Sequence, residues 1–312
     1  MKPVLMIGLS TYDITVPMDG PLVENQKYHL RVSTRGGGGP AFNAAYLCAK
    51  WGVPAYLRTR IGCDEFGEAM RTLMKRAGIF EEEVLQRREF HTPYSYIFTN
   101  NFNGNRTVMN FRDDPETRHL PFGDHDIGVI LTDGHEKTMS LDAFEKYPRA
   151  LRVLDAGNFR DYTLEVAREV DYLVSSQVFA EGYTGMKIDV GDPKGCAEIF
   201  ESVEAINGKT AVITLGGEGL LYRAPENSLS GHGGEVCHMS AYPAEAVDTT
   251  GAGDIFHGAF VCGLAEGMEF EQILCLAQMA ASISVRYEGS QTSVPERSAV
   301  EKELKSTGFG YL

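Results

Sequence analysis

Several large functional classes are excluded by what this sequence lacks. Its six cysteines (Cys48, Cys63, Cys196, Cys237, Cys262 and Cys275) never form a C-x-x-C pair. Zinc knuckles and thioredoxin-like redox chemistry therefore have no footing, and the thiols read as reduced and mostly buried. No stretch reaches about 18 uninterrupted apolar residues, so no membrane span is expected. The opening MKPVLMIGLSTYDITVPMDG has a short apolar run that stops at Asp13 with no cleavable signal after it, and a cytoplasmic location is expected. Basic residues are scarce: 29 Lys and Arg stand against 43 Asp and Glu, a net charge of −14. Such a surface repels phosphate backbones and anionic lipid heads, so neither nucleic acid nor a membrane is the expected partner. A small anionic substrate remains compatible with a locally positive site. No glycine cluster is followed by G-K-[ST], which rules out a P-loop. No internal repeat or low-complexity linker divides the chain.

What is present is ordinary globular material, 43% hydrophobic and 23% charged, which excludes a stapled mini-protein, a collagen-like chain and a disordered one. The 312 residues suggest two domains at about 150 residues each, but the pattern along the chain points to one layered structure. Residues 3–9, PVLMIGL, read as a buried strand. Residues 12–35 alternate and carry turn residues, as exposed ribbons do. Residues 41–51 read as a helix stopped by Gly52, 55–61 as a strand, and 66–77 as a helix stopped by Gly78. Two strands, Tyr94–Thr99 and Arg106–Phe111, flank an Asn103-Gly104 hairpin signal. Apolar strands at 127–131, 151–155, 171–174 and 211–215 alternate with helices at 138–147, 161–169 and 194–206. That alternation predicts a parallel sheet with helices on both faces.

Three glycine clusters carry chemistry. The first, G36-G-G-G-P-A-F-N43, opens a helix whose free N–H groups suit polar or anionic oxygens, with Asn43 in its first turn. A flexible loop before a capped helix is the competing reading. The second, D248-T-T-G-A-G-D254, leads into the apolar helix IFHGAFVCGLAEG. Successive amides at a helix start, with the positive end of the helix dipole behind them, make an anion nest. Asp254 beside it is suited to accept a proton from an attacking hydroxyl, or else is a plain first-turn acid. The third, T214-L-G-G-E-G219, follows a strand at the place where open α/β sheets bind nucleotides, or else is an ordinary turn.

Together these clusters resemble the PfkB/ribokinase family of carbohydrate kinases over nearly the full length. One family signature is met by G38-G39-P40-A41-F42-N43-A44-A45, with Gly52 after six residues and Gly62 after nine more. The other is met by Asp248 to Asp254 with the small pair Gly258-Ala259. The resemblance implies a single ribokinase-like domain over 1–312, a three-layer α/β/α core with a mostly parallel central sheet. It also implies a small β-sheet lid formed by insertions at about 12–35 and 91–112, with a homodimer through that lid.

The resemblance further implies ATP-dependent phosphorylation of a hydroxyl, a primary one, on a sugar or sugar derivative. Asp254 is then the general base, and the Gly251, Ala252 and Gly253 amides are the anion hole. Asp13, Gly38, Gly39 and Asn43 contact the sugar, with Arg106 and Arg112 as lid candidates for an anionic one. Thr214, Gly216, Gly217, Gly219, Ser176 and Gln278 lie on the ATP side. Asp248, Thr250, Ser284, Gly289 and Ser293 form a potassium-type monovalent cation site. The family's Asn-x-x-Glu motif is departed from, with Ser176 at the Asn position and Phe179 at the Glu position. Magnesium is then carried mainly by ATP with water, or by a nearby acid such as Glu181. The alternatives are a nucleoside kinase, and a catalytically weak sugar-binding regulator of the same fold.

Overall fold

The computed structural model describes residues 1–102, 106–228 and 232–307; the Asn103-Gly104 turn lies outside them. The chain begins with β1 (Val4–Ile7), β2 (Thr11–Met18), β3 (Thr34–Gly38), α1 (Pro40–Lys50), β4 (Ala55–Arg58), β5 (Arg60–Gly62) and α2 (Glu65–Ala77). Then come β6 (Leu85–Arg87), β7 (Tyr94–Asn100), β8 (Arg106–Phe111), β9 (Val129–Thr132), α3 (Lys137–Lys146), β10 (Leu151–Ala156), α4 (Asp161–Ala167) and β11 (Tyr172–Ser176). The remainder is α5 (Gln177–Thr184), α6 (Pro193–Asn207), β12 (Thr210–Thr214), β13 (Leu220–Arg223), β14 (Val236–Met239), α7 (Ala252–Glu266), α8 (Phe270–Ser284) and α9 (Arg297–Ser306).

An eight-stranded sheet runs in the order β14-β13-β12-β11-β10-β9-β1-β4. It is parallel from β12 to β4, and β13 and β14 add an antiparallel edge. Side chains alternate between its faces. Val4, Met6, Val129, Leu131, Val153, Val174 and Val212 enter the core with α1, α7 and α8. Leu5, Ile7, Ile130, Leu154, Leu173 and Ile213 enter a second core with α3, α5 and α6. Both faces are covered, which is why the strands read as continuous apolar runs. Most predicted strands and helices are present with ends moved by a residue or two, but the strand expected over 55–61 is split at Thr59 into β4 of the large sheet and β5, which pairs with β6 in a two-stranded sheet.

A separate four-stranded sheet, β3-β2-β7-β8, is mixed: β2 pairs parallel with β7, and the other pairings are antiparallel. It comes from the two segments expected to supply a lid, with residues 20–33 outside regular strands. Tyr94 stacks on Phe111 and Tyr12 on Phe66, which ties this sheet to α2. The sequence reading missed β6, the short helix α5 and the edge pair β13–β14, because each is short and partly polar.

α1 and α7 pack closely, and Gly258 is the contact point. A Cβ there would stand 3.1 Å from Ala44 O and 3.2 Å from Leu47 Cβ. A Gly258→Val variant should push the two helices apart and lose about 1–3 kcal/mol of stability in a urea titration. Wild-type stability in that variant would show that the helices have room to spare.

Candidate active site

The carboxyl ends of the parallel strands lie along one edge of the sheet, where open α/β folds place their ligands. β1 leads to Asp13, β9 to Asp133, β10 to Asp155, β11 to Ser176 and β12 to Thr214. Two helix starts face this edge. α1 begins after Gly39, and α7 begins after Gly251, which holds the left-handed φ of 75° and offers no side-chain cap. An uncapped start leaves the first amides of α7 free for a ligand. A Cβ added at Gly253 would meet nothing within 4 Å, so the nest is open at that point.

Asp254 and Asn43 meet across the two helices. Asn43 Nδ2 donates to Asp254 Oδ2 at 2.6 Å. Asn43 is buried, and its Oδ1 finds no partner among the described residues. Asp254 keeps some solvent access. Burial and then the nearby Asp155 push its carboxyl up to about 7, against the opposing pull of Asn43 and His257.

The glycine run is built for close approach. The carboxylate of Asp13, on β2, occupies the space beside Gly38, where a Cβ would come within 1.9 Å of Asp13 Oδ2. Thr11 Oγ1 donates to Asp13 Oδ1 at 2.7 Å. Burial raises the Asp13 carboxyl, while hydrogen bonds from Thr11 and Ser95 hold it down. Gly39 lies against Leu9 O, and Gln291 Nε2 donates to Gly37 O at 2.6 Å. The loop is therefore pinned from two sides, which sets aside the flexible-loop reading.

The lid arginines go to different places. Arg106 Nη1 donates to Thr250 Oγ1 at 2.5 Å, just ahead of the α7 nest. Arg112 lines a cleft with Gly8, Leu9, Arg60, His91 and His135. Three of the residues expected at a cation site, Asp248, Thr250 and Gly289, lie together. Asp248 accepts from Thr250 N and Oγ1 through Oδ1 and from Gly289 N at 2.9 Å through Oδ2. Burial raises its carboxyl, but these hydrogen bonds outweigh that and lower it overall. Ser284 and Ser293 donate their hydroxyls to Ala281 O and Ser290 O within local turns; the cation ligands expected near them are backbone oxygens, not these hydroxyls.

Among the residues expected on the ATP side, Thr214 ends β12, and a tight 3-10 turn over Gly216–Glu218 is closed by Leu215 N donating to Gly219 O at 2.7 Å. Gly219 lies against Met239 O. Gln278 Nε2 donates to Ser240 O at 3.0 Å, so it joins the same wall, and its buried Oε1 has no partner among the described residues. The Ser176–Phe179 stretch departs from its expected role. Ser176 caps α5: its hydroxyl donates to Gly157 O at 2.6 Å and accepts from Phe179 N at 3.1 Å. Phe179 is fully buried against Phe159. Glu181 is also engaged, accepting from Lys187, Gln177 and Ile188 N. The Lys187 hydrogen bond heads the causes that hold its carboxyl at about 2.

Sequence reasoning missed Asp133, Asp155, His135 and His257. The available signal was an Asp at the end of a predicted strand in LTD and in VLDA. Asp133 accepts from Leu9 N at 2.7 Å and pairs with His135 at 3.2 Å. Burial opposes both charges, yet the pairing holds Asp133 below its ordinary range and His135 above its own. Asp155 Oδ2 lies 3.3 Å from His257 Nδ1.

Over residues 1–297 the chain matches the description pfkB family carbohydrate kinase. It is 23% identical to the ribokinase of Haemophilus influenzae over 95% of this chain and 96% of that protein. It is 24% identical to the ribokinase of Bacillus subtilis over 97% of this chain and 100% of that protein. The Arabidopsis thaliana ribokinase solved with ribose and ATP superposes with a TM-score of 0.83 at 23% identity, over 97% of this chain and 99% of that one.

The raised Asp254 carboxyl has a consequence for stability. The folded state holds a proton up to about pH 7 that the unfolded chain releases near pH 4. The stability from this group is therefore present at low pH and lost as pH rises through 7. Relative to Asp254→Asn, the wild type should lose on the order of 2 kcal/mol between about pH 5 and pH 8, read from paired urea titrations. A difference that stays constant with pH would contradict the raised carboxyl.

Proposed function

Because the chain belongs to the pfkB family of carbohydrate kinases, phosphotransferases with an alcohol acceptor, we propose that it transfers the γ-phosphoryl of ATP to a primary hydroxyl of a sugar, with Asp254 as general base. One observation carries this reading: Asp254 sits in the first turn of the uncapped helix α7 and is held by Asn43 from the helix that follows the glycine loop. Asp13 and the unpartnered Asn43 Oδ1 accept from sugar hydroxyls and hold the ring. The attacking hydroxyl oxygen forms a bond to the γ-phosphorus as the bond to the ADP oxygen breaks, and its proton passes to Asp254. The amides of Gly251, Ala252 and Gly253 stabilise the charge on the transferring oxygens.

Arg106, bonded to Thr250, brings the lid and a positive charge to the same nest. The glycine turn at 216–219 and Gln278 form the nucleotide wall. Closure over the sugar excludes water and so limits idle ATP hydrolysis.

The residues present do not fit a protein-held magnesium. Phe179 is apolar, Glu181 is engaged, and no group of three or more metal-ligating side chains occurs among the described residues. Magnesium then arrives on ATP with water. The Asp248 carboxylate and the Thr250 hydroxyl are oxygen donors of the kind a monovalent cation such as potassium would take, and its charge would support the loop ahead of α7. The lid also exposes Tyr96, Val108, Met109 and Phe111, apolar surface that supports a homodimer through this sheet.

The test is ADP release from ATP and magnesium with a panel of d-ribose, 2-deoxy-d-ribose, d-fructose, aldonic acids and nucleosides. A sugar should turn over, and Asp254→Asn should lower kcat by about 10²–10⁴. The wild-type kcat/KM should fall below about pH 7, where Asp254 takes up its proton. Turnover of nucleosides alone makes the protein a nucleoside kinase. A sugar that raises Tm without turnover makes it a regulator.

A further inference from the structure

His257 lies one helical turn beyond Asp254 on α7 and is 4% exposed. Its Nδ1 stands 2.7 Å from Gly253 O and 3.3 Å from Asp155 Oδ2. Its Nε2 stands 3.2 Å from Val174 O, on β11. A carbonyl oxygen only accepts hydrogen bonds. A neutral imidazole has one N–H, so it satisfies one of these carbonyls and turns a lone pair toward the other. An imidazolium has two N–H groups and satisfies both.

Asp155 explains why a cation is tolerated there. It is 8% exposed, and His257 is its only hydrogen-bond or ion-pair partner among the described residues. A charge buried to that extent is stable only when it is paired. Burial, with Asp133 adding to it, leaves the Asp155 carboxyl raised, and His257 is the first influence that opposes this.

We propose that His257 is a positioning residue, held as an imidazolium against Asp155, which clamps the start of α7 to the sheet edge and offsets the Asp155 charge beside Asp254. The groups that face Asp254 are Asp155 from β10, Asp133 from the end of β9 with His135 paired to it, His257 from its own helix, and the neutral Asn43 from α1. Asp155 and Asp133 disfavour a third negative charge, whereas His257 and Asn43 favour it. With one cation paired to each of the two flanking carboxylates, Asp254 can ionise and act. In the transfer step itself the proton moves from the sugar hydroxyl to Asp254, and His257 neither gives nor takes one. The function of this pair rests on the reading of Asp254 as the base; its charge state does not.

Two measurements separate these. The ring nitrogens of His257 are observed by nitrogen-15 magnetic resonance in the ligand-free full chain, with the signal assigned by its loss in His257→Gln. Both nitrogens should carry hydrogen at neutral pH, and one bare ring nitrogen overturns the proposal. The pH profile of kcat/KM is then recorded with ATP and the panel sugar of highest turnover. His257→Gln should move the acid limb to higher pH by about one unit, and Asp155→Asn should move it to lower pH. Activity that falls equally at every pH, with the limb unmoved in both variants, would mean a merely structural histidine and overturn the proposal. Should His257→Gln fail to fold, Asp155→Asn supplies both the assignment and the profile. Absence of turnover on every sugar removes the reading of Asp254 as a sugar-kinase base, and the ring nitrogens still decide the charge of His257.

Discussion

The hydrogen bond from Asn43 to Asp254 is 2.6 Å long and joins residues 211 positions apart. Much of the site depends on it. A carboxylate at the foot of a cleft needs a donor, and the nearest side-chain donor comes from the other end of the chain. The bond forms only if α1 and α7 pack closely, which Gly258 permits by presenting no side chain to Ala44. It also requires α1 to start where the glycine loop delivers it. Gly38 yields its side-chain space to the Asp13 carboxylate, so the first strand of the lid, the loop and the first turn of α1 are mutually placed. One contact thus couples the lid sheet, both core helices and the proposed base.

Charge is managed locally around that contact. The chain carries a net −14, yet the proposed co-substrate is a polyanion. The positive character of the nest comes from helix amides, from the helix dipole and from Arg106, none of which the whole-chain charge reports. Arg106 joins Thr250, Thr250 joins Asp248, and Asp248 joins Gly289. That chain links the lid to the loop ahead of α7 and on to the segment after α8. A lid that moves would therefore change the surroundings of the anion nest as well as the sugar's exposure to water.

The layered fold was legible because each parallel strand is buried on both faces and each helix ends in a glycine or a cap. Gly52, Gly78 and Gly208 have left-handed φ at the ends of α1, α2 and α6. Asp254 and Asn43 stood out because the glycines beside them mark close approach, whereas Asp13 came only from the family resemblance. Asp133, Asp155 and His257 were not legible. Each is a single polar residue at the end of a strand or inside an apolar helix, and only the register β9-β10-β11 beneath α7 brings them together. Sequence order gives no hint that Val174 O and Gly253 O bracket one imidazole. Arg106 and Arg112 looked equivalent in sequence, but the six residue steps from one to the other span about 20 Å of extended chain, enough to put them over different parts of the cleft.

The Ser176–Phe179 stretch is structural in this chain. Ser176 has become the cap of α5, and Phe179 has become part of the core beneath it, so restoring an acid at 179 would bury a charge among Phe159, Tyr183 and the α6 side chains. The acidic groups of this chain lie elsewhere, in the row Asp133, Asp155 and Asp254 along the strand ends. Two of them face a histidine each, at 3.2 and 3.3 Å. The third faces an amide donor and keeps access to solvent. A carboxylate fixed by a cation is a poor proton acceptor, because the cation already stabilises its charge. Burial and then Asp155 raise the Asp254 carboxyl to about 7, against the pull of Asn43 and His257, and burial raises Asp155 as well. Of these two, Asp254 has the greater solvent access, which supports the proposal that it takes the proton.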